Sequence, residues 1–119
     1  DQATQVIGMP AWTYEGWDDG YPVHCPVNAM RPNPWGLHQI LGNVGEWTRE
    51  VYKPGYPDAP TGPEGWHTTD ELRPNETFTI RGPGWFRTRE GYRVSARYQG
   101  NAENFKTEHF GLRPVREVR

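Results

Sequence analysis

Glycine and proline interrupt this chain so evenly that no regular element can be long. The 119 residues include 14 glycines and 12 prolines. Turn-favouring pairs occur at Asn33-Pro34, Pro54-Gly55, Gly62-Pro63 and Gly82-Pro83. No run of hydrophobic residues is longer than two. These patterns exclude, within these residues, a membrane-spanning segment and the long apolar strands of a buried parallel sheet.

Large rings supply most of the material for a core. Hydrophobic residues make up only 34% of the chain, yet it contains 6 tryptophans, 6 tyrosines and 4 phenylalanines. A chain of this length has room for one hydrophobic core. We therefore expect residues 1–119 to form a single domain or part of one.

Alternating polar and apolar residues predict a few short strands. The best candidates are residues 44–52, 78–81, 92–98 and 110–118. No 11-residue window carries a convincing apolar stripe with helical spacing. Residues 53–75, rich in Pro, Gly, Thr and acidic side chains, predict one long surface loop. The expected structure is loop-rich, with a few short antiparallel strands.

Charge is distributed unevenly along the chain. Residues 1–80 carry 4 basic and 11 acidic side chains, whereas residues 81–119 carry 9 basic and 4 acidic ones. Arginines alternate with aromatic residues across 81–98, a pattern also found on nucleic-acid surfaces. However, the net charge is −2 and lysine is almost absent from this region. We expect the two parts to pair within one fold and expect no nucleic-acid partner.

Residues 32–48 are the most distinctive stretch. They contain a turn at Asn33-Pro34, a second turn at Gly42-Asn43, and a strand that carries Glu46 beside Trp47. Turn carbonyls with a nearby carboxylate and amide are the oxygen ligands that calcium prefers. The same residues also fit an ordinary turn with a solvent-facing Glu46, because Gly-Asn turns are common. The residues alone favour this second interpretation over a calcium site.

The stretch also resembles the signature of the formylglycine-generating enzyme (sulfatase-modifying factor) family, Pro-Asn-x-x-Gly-Leu-x-Asp/Asn-x-x-Gly-Asn-x-x-Glu-Trp. Further blocks resemble family motifs in the same order: 19–21, 26–27, 80–85, 93–97 and 110–113. Together they cover roughly residues 19–115, and the combination is far more specific than any one block. The resemblance implies an α+β, C-type-lectin-like fold with short antiparallel strands and little regular secondary structure.

The resemblance also implies that the family's catalytic pair is missing. Its oxidases hold copper with two cysteines five residues apart and convert a sulfatase cysteine to formylglycine. The motif match places Arg89 and Val94 at those positions. Copper(I) requires thiolates, which neither side chain supplies. We therefore expect no copper and no oxidase activity from this chain by itself, and an unreactive thiol at the one cysteine, Cys25.

Calcium is the cofactor that the resemblance implies. One site carries over to an amide, two backbone carbonyls and a carboxylate: Gln39, Gly42, Val44 and Glu46. A second site carries over to another amide, a carboxylate and two carbonyls: Gln5, Val6, Asp19 and Tyr21. Each site has glutamine where the family has Asn or Asp, and this longer side chain predicts weak to moderate affinity. Calcium binding favours an exported location, periplasmic or extracellular.

Three functional hypotheses follow. The first is a non-catalytic subunit or fragment that docks a partner chain, because the resemblance covers only the C-terminal part of a longer family domain. The second is a subunit of an oxidase or non-haem iron or copper enzyme whose redox centre lies in a missing segment or companion chain. The third is a lectin-like module that binds peptide or glycan in a groove near Trp85, Arg89 and Val94. In all three, Arg97 and Arg113 are expected to form structural ion pairs or to donate to loop carbonyls.

Overall fold

The computed structural model describes residues 18–55, 73, 75–87, 91–101, 103–104 and 106–115. The chain divides into two compact units. The first comprises residues 1–44 and 82–96, and the second comprises residues 45–81 and 97–119. The described residues include no helix long and apolar enough to cross a membrane. Three predicted site residues, Gln5, Val6 and Arg89, lie outside the described residues, as does most of the predicted loop.

The second unit is built on a four-stranded mixed sheet. Its strands are β1 (Gly45–Val51), β2 (Thr77–Arg81), β3 (Tyr98–Asn101) and β4 (Phe110–Leu112). Their order across the sheet is β3-β2-β1-β4. Strand β2 is antiparallel to both of its neighbours, whereas β4 runs parallel to β1. No α-helix occurs in the described part of the chain.

Two of the four predicted strands are confirmed within about one residue. The prediction of 44–52 corresponds to β1, and that of 78–81 corresponds to β2. The prediction of short antiparallel strands is confirmed for β1, β2 and β3, but β4 departs from it, because Gly111 of β4 pairs with Glu46 of β1 in parallel. The pattern within each strand carries no information about the direction of its neighbour.

The other two strand predictions are displaced or too long. The predicted strand 92–98 is wrong, because Ala96 N–H donates to the carbonyl of Arg93 (2.9 Å) in a turn and β3 begins only at Tyr98. The predicted strand 110–118 ends at Leu112. Proline follows at position 114 and has no N–H to donate to a strand neighbour.

One face of the sheet is apolar and holds the core of the second unit. Phe78 and Ile80 lie two residues apart on β2 and are 6% and 1% exposed. Trp47 pairs with Ile80 across the ladder, and its ring packs edge-on against Phe110 with centroids 5.8 Å apart. Gly100 of β3, opposite Phe78, leaves the space that the Trp47 ring occupies.

The opposite face is polar but still covered. Thr79 is fully buried there, and its carbonyl accepts a hydrogen bond from the Thr48 hydroxyl (2.9 Å). The Arg97 guanidinium lies beside it and forms an ion pair with Glu50 (2.8 Å). The register between β1 and β2 shifts between Trp47 and Val51, so the ladder is irregular there.

The first unit is held by turns. Gly42 N–H donates to the carbonyl of Pro83, and Trp85 N–H donates to the carbonyl of Asn43, both at 2.9 Å. Gly82 has a φ of +74°, and a side chain there would put its Cβ 3.2 Å from the carbonyl oxygen of Ile40. The segment 82–85 is therefore fixed closely against the 40–43 turn.

Candidate functional site

Asn43 lies in the turn that contains three of the predicted calcium ligands, Gln39, Gly42 and Val44, and its side chain fixes this turn. Its side-chain oxygen accepts from Cys25 N–H (3.2 Å), and its amide nitrogen donates to the Cys25 carbonyl (3.1 Å). The side chain thus pairs with both backbone groups of one residue, as a neighbouring strand would. Asn43 itself has a φ of +59°, a conformation that asparagine tolerates better than most residues.

Gln39 joins the same network. Its amide oxygen accepts a second hydrogen bond from the Asn43 amide (2.6 Å), and its amide nitrogen donates to the carbonyl of Pro26 (2.7 Å). Gln39 also has a left-handed backbone, with a φ of +51°. The oxygen that the family resemblance assigns to calcium therefore accepts an internal hydrogen bond in this structure.

Asp19 and Tyr21 form a local turn. One carboxylate oxygen of Asp19 accepts from Tyr21 N–H (2.9 Å), and Asp18 makes the equivalent bond to Gly20 N–H (2.8 Å). Such Asx turns fix the backbone without tertiary contacts. Asp19 and Tyr21 are both exposed, and the other two predicted ligands of this site, Gln5 and Val6, are outside the described residues.

Glu46 has a strong partner in the second unit. Because Glu46 pairs with Gly111 and Arg113 lies two residues further along, both side chains project from the same face. Arg113 Nε donates to Glu46 Oε2 (2.9 Å), and a terminal guanidinium nitrogen donates to Oε1 (2.5 Å). These hydrogen bonds raise the pKa of Arg113 above its usual value. The predicted structural role of Arg113 is confirmed.

The predicted ligands of the first calcium site are divided between the units. Gln39, Gly42 and Val44 belong to the first unit and Glu46 to the second. Their carboxylate, amide and carbonyl oxygens have the chemistry that calcium prefers. Among the described residues, no three His, Cys, Asp or Glu side chains cluster to hold a metal. Calcium at these positions remains a prediction.

Cys25 is poorly suited to redox chemistry. Partial burial raises the pKa of its thiol, and the nearby negative charge of Asp19 raises the pKa further. The thiolate is the form that attacks electrophiles and binds soft metals, so a raised pKa lowers its population at neutral pH. The neighbouring His24 accepts a hydrogen bond from the indole N–H of Trp85 (3.2 Å).

The predicted ligand groove is only partly described. The Trp85 ring meets the His24 ring edge to face, with centroids 6.1 Å apart. Val94 is 71% exposed on the turn that precedes β3. Arg89 lies outside the described residues, so the groove also stays a prediction.

Substitution of Asn43 by glycine tests the turn network. Glycine accepts the positive φ, so the change removes only the side-chain hydrogen bonds to Cys25 and Gln39. We expect the free energy of unfolding to fall by about 1–2 kcal/mol, measured by chemical denaturation. Asn75→Gly is the matched control, because Asn75 is exposed and has a similar φ of +64°. Equal losses in the two variants would contradict the proposed role of Asn43.

Comparison with known proteins agrees with these motifs. The sulfatase-modifying factor enzyme 1-like domain matches residues 2–118. A formylglycine-generating enzyme of Thermomonospora curvata is 32% identical over 110 residues, which span 81% of this chain and 32% of the relative. The inactive C-alpha-formylglycine-generating enzyme 2 of Mus musculus is 31% identical over 102 residues, which span 81% of this chain and 27% of the relative.

The match covers only part of these relatives. This chain spans 32% of the length of the Thermomonospora curvata enzyme and 27% of the mouse protein. No solved structure matches the chain. The family match over nearly all of its residues nevertheless establishes its relationship: the chain belongs to the sulfatase-modifying factor, or formylglycine-generating enzyme, family.

Proposed function

We propose that this chain is a non-catalytic member or fragment of the family that acts by binding a partner protein. The observation that carries the proposal is its single cysteine, Cys25, because copper-dependent oxidation in the family needs two. The raised pKa of that thiol also disfavours metal binding. The chain is about equally similar to a relative named as the enzyme and to one named inactive, and the second is compatible with a non-catalytic role.

Exposed apolar side chains support a protein partner. Trp35 is 83% exposed, although it sits on a well-fixed turn. The side-chain oxygen of Asn33 accepts from the N–H groups of both Trp35 and Leu37, each at 3.0 Å. A preorganised exposed tryptophan is a typical anchor at protein interfaces. In the second unit, Leu112 and Val115 are 72% and 90% exposed.

Calcium and the wider fold complete the proposal. The hard oxygen chemistry at Asp19, Gln39 and Glu46 suits calcium, which would stiffen turns and would favour an exported location. The mixed sheet of short strands with long connections is compatible with an α+β, C-type-lectin-like fold. When bound, calcium would supply structural charge compensation and no redox chemistry.

The proposal is tested by an aldehyde assay. The purified chain is incubated with copper(I), oxygen, a thiol reductant that supplies the two further electrons for reduction of oxygen to water, and a sulfatase-derived peptide that contains the substrate cysteine. We expect no formylglycine above the peptide-only background, because a second thiolate is lacking. The Thermomonospora curvata enzyme serves as the positive control. Aldehyde formation that scales with the amount of this chain would contradict the proposal.

Native mass spectrometry of the protein, purified without chelator, tests the docking part. We expect a companion chain that is lost or weakened in Trp35→Ser, whereas Arg31→Ser, a change at another exposed position nearby in sequence, retains it. A companion that carries redox-active iron or copper would instead favour the enzyme-subunit hypothesis. A lone chain at every concentration would overturn docking.

A further inference from the structure

We propose that Arg113 is a built-in competitor of calcium at Glu46, so that calcium binding to this carboxylate requires the guanidinium to be displaced. The inference rests on the proposed calcium binding and adds a residue that sets its strength. It concerns only the pair formed by β1 and the residue just beyond β4.

The geometry of the pair carries the proposal. Both oxygens of the Glu46 carboxylate are occupied, by Nε of Arg113 at 2.9 Å and by a terminal nitrogen at 2.5 Å. The two side chains are 25% and 34% exposed, so the pair is shielded from water better than a surface ion pair. Two parallel charge-assisted hydrogen bonds are among the strongest side-chain contacts in proteins.

Calcium and the guanidinium need the same part of the carboxylate. A calcium ion bound through both oxygens would lie along the edge that the two guanidinium N–H groups now approach, at about 2.3–2.6 Å from each oxygen. Binding through one oxygen would place a divalent cation beside a retained positive charge, which is also unfavourable. Either way, Arg113 lowers the affinity of Glu46 for calcium.

The backbone of Arg113 lies outside the sheet, one residue after Leu112, the last residue of β4. Release of the side chain therefore breaks no hydrogen bond of the β1–β4 ladder. The expected behaviour is an exchange of an internal cation for an external one, with the sheet unchanged.

The test compares calcium binding in metal-free protein before and after substitution of Arg113. Calcium chloride is titrated by calorimetry into wild type and Arg113→Gln, each treated with chelator and dialysed. We expect Arg113→Gln to bind calcium with a Kd about tenfold lower, since displacement of charge-assisted hydrogen bonds is no longer required. We also expect its melting temperature to be lower than that of wild type in chelator and to rise more on calcium addition.

Lys106→Gln is the matched control, because it removes one positive charge from an exposed position in the same unit. It should leave the Kd unchanged, which separates competition from a general charge effect. The double variant that carries both Glu46→Gln and Arg113→Gln should lose the increase in calcium affinity expected for Arg113→Gln. Arg113→Lys keeps the positive charge but cannot make both hydrogen bonds to the carboxylate. Its Kd for calcium should lie between those of wild type and Arg113→Gln.

The outcomes separate the two proposals. Equal calcium affinity in wild type and Arg113→Gln, with weaker binding in the double variant that also carries Glu46→Gln, would overturn competition while leaving calcium binding in place. Absence of calcium binding in every variant would overturn both. A lower Kd in Lys106→Gln equal to that in Arg113→Gln would also overturn the role of Arg113.

Discussion

Substitution of Arg97 by methionine should lower the free energy of unfolding by about 3–5 kcal/mol, a large part of the stability of a small domain. Arg97 lies just before β3, and its side chain is only 6% exposed. Methionine keeps much of the side-chain length and apolar bulk but removes the guanidinium. The change therefore measures the polar contacts rather than the packing of the stem.

The guanidinium joins three parts of the second unit. One terminal nitrogen donates to the carbonyls of Lys53 (3.1 Å) and Gly55 (2.8 Å). The other donates to the Glu50 carboxylate (2.8 Å) and to the hydroxyl of Thr79 (3.4 Å). Its removal leaves a carboxylate and two carbonyls without these donors, and Glu50 is 22% exposed. A shielded carboxylate without its partner is costly.

The control variants separate these contributions. Arg93→Met changes the same residue type at an exposed position and should alter the free energy of unfolding by less than about 0.5 kcal/mol. Arg97→Met combined with Glu50→Gln should recover part of the loss, because the uncompensated charge is gone. All variants are compared by urea unfolding. A loss below about 1 kcal/mol for Arg97→Met would mean that the contacts behave like a surface ion pair.

The roles of Arg97 and Arg113 could be anticipated because each lies in a motif that resembles a known family. Strands β1 and β2 were also predictable, since alternation over residues 44–52 and 78–81 is local information. Strand β3 was not. Tyr92, Val94, Ala96 and Tyr98 alternate as a strand would, yet the chain turns at Arg93–Ala96. An alternating pattern shows the spacing of apolar residues along a segment. It does not show whether that segment has a neighbouring strand to pair with.

The ligand assignments show the same limit. Sequence placed Gln39 and Glu46 as candidate metal ligands but gave no sign that Asn43 and Arg113 contact their oxygens. Those contacts depend on a left-handed turn and on a parallel strand pairing 65 residues apart, Glu46 with Gly111. The Gly42-Asn43 pair predicts the turn itself, but no local pattern shows which distant residues the Asn43 side chain or the strand will contact. The partners of a candidate ligand, which decide its availability, are thus the least predictable part of the site.

Substitution of Gly100 by alanine should destabilise the second unit by about 3 kcal/mol, at the upper end for overpacking a core. A Cβ at this position would lie 2.6 Å from Cη2 of Trp47 and 2.7 Å from Cδ1 of Ile80. Ile80 is 1% exposed and has little room to move. The backbone of Gly100 is not in the left-handed region, so the cost is steric rather than conformational.

A double-mutant cycle with Ile80→Val isolates this contact, because valine lacks the Cδ1 atom that the new methyl group would meet. Ile80→Val alone should cost about 0.5–1.5 kcal/mol, and the double variant should lose less than the sum of the single losses. Gly36→Ala is the control: its Cβ would meet no atom within 4 Å, although its φ of +78° adds backbone strain. The stability losses of Gly36→Ala and Ile80→Val, measured by thermal unfolding, should therefore be additive. If the losses for Gly100→Ala and Ile80→Val were also additive, the core would have to relax around the new methyl group. The absence of a side chain at Gly100 would then not be what allows the Trp47 ring to lie across β3.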